Sequence, residues 1–406
     1  MTDMTERAVL MIYNGYGPND PDTIHTAQSI EKMGFRITLI GSARQGQNPI
    51  PTYQEIGSIS VITLPFETRL SLKTIINWVR GLLPTSVQPV GNSVTSLMSM
   101  LLFNLWVLRL GLRRTFQVVH CQDLSPLPAS WALARLRGAK LVYHTREDFP
   151  SRYGGCKGQW VERLERFLVR RSDAVISTGV YLQKLLLERG AREVTLIGNW
   201  KRLEDFDIPE EVIRERRAAL NLRHDERLIV YVGTLDPSRE LMPLLEAVAA
   251  RPDIRLLIGG RGLLQTDIER FAARMPNIHW LGWVPLSEVP LYSKIADAIY
   301  SVWSVGEFEE QNERCPAANK LFESYAAGVP IIVRRGLNEM GKEVERTGAG
   351  ILVDDASIAS LHAAFDLLFD EAAVEQLRAR ARAQGHLYNW DEAERRLRSV
   401  YERLLT

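Results

Sequence analysis

Short apolar runs alternate with longer stretches of helical period along this chain. Val9–Tyr13 reads as a buried strand, Pro21–Met33 as a helix and Arg36–Ile40 as the next strand. The rhythm continues through Ser60–Leu64, Gln117–His120, Lys140–His144, Ala174–Ser177 and Val194–Ile197. Helical stretches fall between them at Pro128–Arg137, Trp160–Arg171 and Val180–Glu188. Residues 199–209 carry no clear period, and Glu210–Leu222 reads as a charged helix. A second series of strands follows: Leu228–Val232, Arg255–Ile258, Ile278–Leu281, Ala298–Ser301, Ile331–Val333 and Ile351–Val353. Its helices are Leu241–Ala250, Leu263–Arg274 and Asn319–Ala327, and Ser357–Leu405 is helical with a break near Gly385–Trp390. This alternation predicts βαβ units and parallel sheets. Two doubly wound α/β domains facing a cleft are expected, at 1–198 and 199–385, with 386–406 a helix able to pack back on the first. Ligands of open parallel sheets sit beyond the carboxyl ends of the strands. The loops after Tyr13, His120, His144, Val232, Ile258, Ser301 and Val333 are therefore where chemistry belongs.

Charge changes this picture little. Fifty Lys and Arg stand against 49 Asp and Glu in 406 residues, a formal net charge of +1, so no global basic field invites nucleic acid. The 46% hydrophobic content excludes extended disorder. Cys121, Cys156 and Cys315 are too few and too scattered for a disulfide framework or a zinc knuckle, and fit a reducing compartment. Met1–Arg7 is polar, and the apolar run Ala8–Tyr13 is too short for the core of a secretory signal, so a cytoplasmic location is expected.

One region departs from the average. No Asp or Glu occurs from Arg69 to Gln122. Within 70–83, Leu72, Ile75, Ile76, Val79, Leu82 and Leu83 share a helical face opposite Lys73, Asn77 and Arg80, with Trp78 at the border. A basic amphipathic helix of this kind can lie in a membrane interface. An ordinary fluctuation in charge explains the missing acids equally well. Val94–Leu112 is apolar nearly all round but is broken by Asn104 and Arg109. It falls short of the ~20 residues of a spanning helix and reads as a buried helix flanking the first sheet.

Two phosphate motifs fail. Gly336-x4-Gly341-Lys342-Glu343 lacks the Ser or Thr of a P-loop, and Glu343 would repel a phosphate. Gly259-Gly260-Arg261-Gly262 follows a strand but lacks dinucleotide-binding spacing and reads as a strand-end turn. The segment 316–332 is more informative: a helix starts at Asn319, stops at Gly328 and turns through Pro330 into a buried strand. A helix start offers free N–H groups and a positive dipole end to phosphate, and Lys320 adds a charge there. Glu323 either accepts hydrogen bonds from a sugar's hydroxyl pair or is a solvated first-turn acid.

This segment resembles the donor-site signature of the family-4 retaining glycosyltransferases, which have the GT-B fold. The resemblance extends over nearly the whole chain. Val232–Arg239 looks like the family's phosphate-binding strand and loop, and Ile197-Gly198-Asn199 like its interdomain turn. His120-Cys121-Gln122-Asp123 followed by Leu133–His144 looks like its first-domain signature. Gly348–Asp354 and the tail around Tyr388–Trp390 also match.

The resemblance implies transfer of a sugar from a UDP- or GDP-sugar to a lipid-linked or cell-envelope glycan. Retention of configuration is implied, with no protein-held metal and no cofactor beyond the donor itself. Donor binding would fall to Arg239, Asn319, Lys320, Leu321, Glu323, Gly15, Gly17 and Gly233. Gln122, Asp123 and Arg146 would act at the reacting centre, with His144 and Glu147 beside them. The enzyme would work in the cytoplasm or peripherally on the inner face of the plasma membrane. Four positions depart from the family: Cys315 replaces a glutamate that usually contacts the donor sugar, Gln122 and Arg146 replace histidines, and Thr234 replaces an arginine. A sugar-nucleotide epimerase on the same fold, or a non-catalytic partner subunit, are the alternatives.

Overall fold

The apolar runs pair as the alternation requires. The computed structural model describes residues 7–15, 20–42, 52–64, 88–153, 155–223, 225–304, 319–336 and 339–406. Gly17, the segment 70–83 and the Cys315 position lie outside the described residues. The first sheet contains β1 (Ala8–Tyr13), β2 (Arg36–Ser42), β3 (Thr52–Ile56), β4 (Ile59–Leu64), β5 (Val118–Gln122), β6 (Lys140–Thr145), β7 (Ala174–Ser177) and β8 (Thr195–Leu196). Their order is β3-β4-β2-β1-β5-β6-β7-β8. The second sheet contains β9 (Arg227–Thr234), β10 (Ile254–Arg261), β11 (Ile278–Trp280), β12 (Ala298–Ser301), β13 (Ile331–Arg334) and β14 (Gly350–Val353), in the order β11-β10-β9-β12-β13-β14.

Among the described residues every strand pairing is parallel except β3 with β4, which is antiparallel. The antiparallel edge is an addition to the parallel sheet that the alternation predicts. Thr52–Ile56 is an edge strand with four exposed residues and one half-buried residue, so it leaves no apolar run in the sequence. Two helices also went unforeseen. Val289–Ile295 is a seven-residue piece beginning Val-Pro, and Glu339–Thr347 carries Gly341 and five charged residues. The helix expected at Trp160–Arg171 begins earlier, at Gly155.

The chain divides into two units, 1–197 with 394–406, and 198–393. Residues from Glu394 onward belong with the first unit because they pair into it. Glu394 meets Lys32 at 3.0 Å, Arg396 donates to the Leu196 carbonyl at 2.9 Å, and the Tyr401 hydroxyl lies 2.9 Å from His120 Nδ1. In the second unit, Leu244, Leu245, Leu256, Ile258, Ile268 and Phe365 form the centre of the core, each fully buried. In the first unit the corresponding centre includes Ile12, Val107, Val119, Leu133, Tyr143 and Leu168.

The first unit also buries an ionic network. Arg189 reaches Glu165 at 2.5 Å and Asp148 at 2.9 Å, and Tyr143 donates its hydroxyl to Glu165 at 2.6 Å. Arg189 is 4% exposed and Glu165 1%. Burial pushes the Glu165 carboxyl above its ordinary value, although Arg189 and Tyr143 both favour the carboxylate.

Candidate active site

Each sheet has one topological switch point. In the first it lies between β1 and β5, and in the second between β9 and β12. In open parallel sheets the loops beyond such a pair run in opposite directions, and ligands bind at the strand ends there. The candidate residues gather at these two places.

In the second unit, β9 ends in Val232-Gly233-Thr234 and runs into a short turn, Pro237–Arg239. Asp236 caps that turn by accepting from the Ser238 N–H at 3.0 Å. The backbone then passes through Glu240 at φ +47°, a left-handed conformation that a non-glycine residue seldom adopts. Across the switch point, Ser304 N–H donates to the Ser238 carbonyl at 2.9 Å and ties the loop after β12 to this turn. The Arg239 guanidinium thereby stacks on Trp303, 3.6 Å from the ring centroid. Its Nη1 is buried without a hydrogen-bond partner among the described residues.

Lys320 approaches from the helix Asn319–Ala327. Its ammonium lies 4.6 Å from the Tyr231 ring centroid and directly over Gly233. A β-carbon at Gly233 would stand 2.4 Å from Lys320 Nζ. Burial lowers the Lys320 pKa and Glu323 opposes that, while Arg239 and Lys201 add repulsion that lowers it further. Lys201 Nζ donates to Asn319 Oδ1 at 2.7 Å. Leu321 is fully buried, so its side chain packs into the core and only its backbone can face a ligand. Glu323 is half-buried on the same helix. Lys201, Arg239 and Lys320 thus converge on a helix start with Glu323 as the neighbouring acid. An anion bound there would satisfy the unpartnered Arg239 nitrogen and relieve the repulsion among the cations.

In the first unit, Arg146 is held between two carboxylates. Its Nη1 pairs with Asp20 at 2.8 Å and its Nη2 lies 3.6 Å from Asp123. The guanidinium also sits over Tyr13, 4.5 Å from the centroid. Burial works against its charge, but Asp123 and Asp20 outweigh burial and raise its pKa. Asp123 is left-handed at φ +65° and accepts from the Arg146 N–H at 3.0 Å. Gln122 is fully buried rather than open to a ligand. Its carbonyl oxygen accepts from Thr23 Oγ1 at 2.7 Å, and its Nε2 has no partner among the described residues. Gly15 follows β1, and a β-carbon there would strike the Tyr13 ring at 2.4 Å.

Beneath these groups lies a buried histidine pair. His120 Nε2 is 3.4 Å from His144 Nδ1, and His120 Nδ1 is 2.9 Å from the Tyr401 hydroxyl. Burial pushes His120 down to about 3 and holds His144 well below its ordinary value. Both rings are neutral at physiological pH. They link β5 and β6 to Tyr401 of the C-terminal helix rather than supplying a titrating group.

The two failed motifs have packing explanations. A β-carbon at Gly260, whose φ is +143°, would lie 1.7 Å from the Gly233 carbonyl, so this glycine serves the β9–β10 contact. Gly341 packs against the Arg334 carbonyl in the same way, at 2.2 Å. Sequence reasoning missed Trp303, Tyr231, Lys201, Asp20 and Tyr401. Trp303 was the most accessible of these, because it stands two residues beyond a strand whose following loop was already marked.

Two family models match the chain. Residues 22–200 match one described as glycosyl transferase 4-like domain, and residues 212–386 match one described as glycosyl transferases group 1. Together they account for most of the chain, which belongs to the group 1, family-4-like glycosyltransferases. Glycogen synthases of two Mycobacterium tuberculosis strains are each 25% identical over 295 residues. These matches take in 68% of this chain and 66% of theirs, so the chain spans just under two thirds of those proteins. Among solved structures, sucrose-phosphate synthase from Thermosynechococcus elongatus aligns over 98% of this chain and 99% of its own, with a TM-score of 0.67 and 15% identity. Anabaena HepE in complex with UDP-glucose aligns over 98% and 99%, with a TM-score of 0.68 and 13% identity. The trehalose-phosphate synthase of Burkholderia vietnamiensis aligns over 98% and 99%, at 0.64 and 12%. At these identities the likeness shows a shared GT-B fold.

Proposed function

We propose that this chain transfers a sugar from a UDP- or GDP-sugar to a lipid-linked or cell-envelope glycan, with retention and without a metal ion. The convergence of Arg239 and Lys320 on the helix start at Asn319, with Arg239 Nη1 buried and unpartnered, carries this reading. A nucleoside diphosphate has the charge and the acceptor oxygens that these groups lack. Glu323, one turn into the helix, would take the ribose hydroxyls. Anabaena HepE is described with UDP and with UDP-glucose, which supports a nucleotide-sugar donor. Preorganised cations facing the leaving diphosphate would supply the main catalytic effect. Arg146, oriented by Asp20 and Asp123, would position sugar or acceptor hydroxyls in the first unit. Gln122 would act from below, through the groups it supports.

The test is nucleotide release from a panel of UDP- and GDP-sugars, with and without a lipid extract as acceptor. Wild type should release nucleotide only when acceptor is present, and Glu323→Ala should lose about 100-fold or more of that rate. Equal rates in the two proteins would overturn the reading. Turnover without acceptor would point to an epimerase instead.

Two neighbouring glycines should separate binding from folding. Gly233→Ala meets only the flexible end of Lys320, so it should fold normally and weaken UDP binding by roughly tenfold. Gly260→Ala meets backbone at a left-handed φ, so it should lower the melting temperature instead. Calorimetry and thermal melts of both variants check this.

A further inference from the structure

Three helices lie side by side over one face of the first sheet: Gln88–Gly111, Leu127–Arg137 and Gly155–Val169. Their inner residues, among them Phe103, Val107, Leu133 and Leu168, belong to one core. Trp131 meets Phe167 edge-on at 5.6 Å and joins the second helix to the third. The outer sides of these helices carry apolar groups at helical spacing. Leu101, Leu105 and Leu112 mark the first, and Trp160, Leu164 and Phe167 mark the third. Leu105 is 60% exposed and Trp160 67%, and Leu136 on the middle helix is 67% exposed. Single exposed leucines are ordinary, but rows of them on adjacent helices form a patch.

The charge on this face has one sign. Arg109, Arg113, Arg135, Arg137, Lys157 and Arg163 are exposed on it or at its margins. The three helices contain two acids in all: Glu165 is buried, and Glu162 pairs with Arg166 at 2.9 Å. Cations and rings are interleaved. Arg163 sits 5.3 Å from the Trp160 centroid, and Arg171 lies 3.6 Å from that of Phe167. A protein interface gathers its apolar groups in a charge-depleted centre. Apolar groups set among arginines suit a lipid surface, where rings sink to the acyl boundary and cations stay at the phosphates. No helix among the described residues is long and apolar enough to cross a membrane, so contact here would be lateral.

We infer that this three-helix face docks on an anionic phospholipid surface. Neighbouring helices lie ~10 Å apart, so the face is about 20 Å wide and contacts many headgroups at once. Each Lys or Arg near such a surface multiplies binding by roughly fivefold. Its residues are not those of the proposed donor site, and its test does not depend on catalysis.

The experiment is co-sedimentation of the full chain with vesicles of phosphatidylcholine alone or mixed with phosphatidylglycerol. Wild type should bind the mixed vesicles, prefer them over neutral ones and lose binding as salt rises. Trp160→Ser with Phe167→Ser should cut binding by roughly tenfold or more, beyond the small loss of melting temperature expected from the lost Trp131–Phe167 contact. Arg163→Glu with Arg171→Glu should abolish the preference for phosphatidylglycerol, which keeps the test decisive if the first pair fails to fold. Equal binding to both vesicle types would overturn the inference, as would wild-type binding by both variants. So would a dimer of the wild type that the Trp160→Ser and Phe167→Ser pair splits without any lipid binding.

Discussion

Lys320→Ala is expected to lower sugar transfer by roughly 10²–10³-fold, the range seen when one preorganised charge-stabilising donor is removed. Lys320 is suited to such a role because its position is unfavourable until a ligand arrives. It is desolvated, and Arg239 and Lys201 repel it, so its pKa falls below the ordinary 10.5. Only Glu323 offsets this. A bound diphosphate would reverse the balance by pairing with all three cations. The variant should therefore fold at least as well as wild type without ligand, since a strained buried charge has been removed. The sign with pH follows from the lowered pKa. Protonated Lys320 binds an anion, so UDP affinity should fall as pH rises through the depressed pKa, beginning below 10.5. Over the same window unliganded wild type should gain stability, because the neutral form is the one burial favours. The variant should show neither limb. Initial rates, melts and UDP titrations across alkaline pH check all three.

Arg189→Ala should destabilise the first unit by about 3–5 kcal/mol, the cost of leaving a buried partner charge unpaired. Glu165 and Asp148 both depend on this guanidinium, at 2.5 and 2.9 Å. Glu165 is already pushed above its ordinary 4.5 by burial with Arg189 in place, and losing the arginine raises it further. The destabilisation should thus be full at neutral pH and shrink as pH falls through that raised pKa, because protonation removes the stranded charge. Replacing Arg189→Met together with Glu165→Leu should recover only part of the loss, because Asp148 and the Tyr143 hydroxyl still lose their partners. Chemical denaturation at two pH values measures both effects. A small loss that does not change with pH would contradict the account of this network.

Most of the fold was legible because its strands are buried on both faces and read as apolar runs. Ala174–Ser177 and Ala298–Ser301 lie where the runs fall. Thr52–Ile56 was invisible because an edge strand with exposed side chains has no such run. The cationic half of the proposed donor site was legible too. Helix starts and strand-end loops are local features, and Lys320 and Arg239 occupy them. Their supports were not legible. Trp303 and Tyr231 meet the cations only through strand order, since β9 and β12 become neighbours by a crossover that no local pattern records. The burial of Gln122 has the same origin. Its place in the family's first-domain signature suggested a role at the reacting centre, but Thr23, 99 positions away, takes its carbonyl oxygen.

The central claim is that Arg239 and Lys320 form a binding site for a nucleoside diphosphate. Thermal stability of wild type and Lys320→Ala with UDP, GDP, ADP and NAD tests it most directly, because a ligand that binds only the folded state stabilises it by mass action. The account predicts that UDP or GDP raises the wild-type melting temperature, that NAD does not, and that Lys320→Ala loses the shift while keeping its unliganded stability. No shift with either nucleotide, or an equal shift in both proteins, would contradict it.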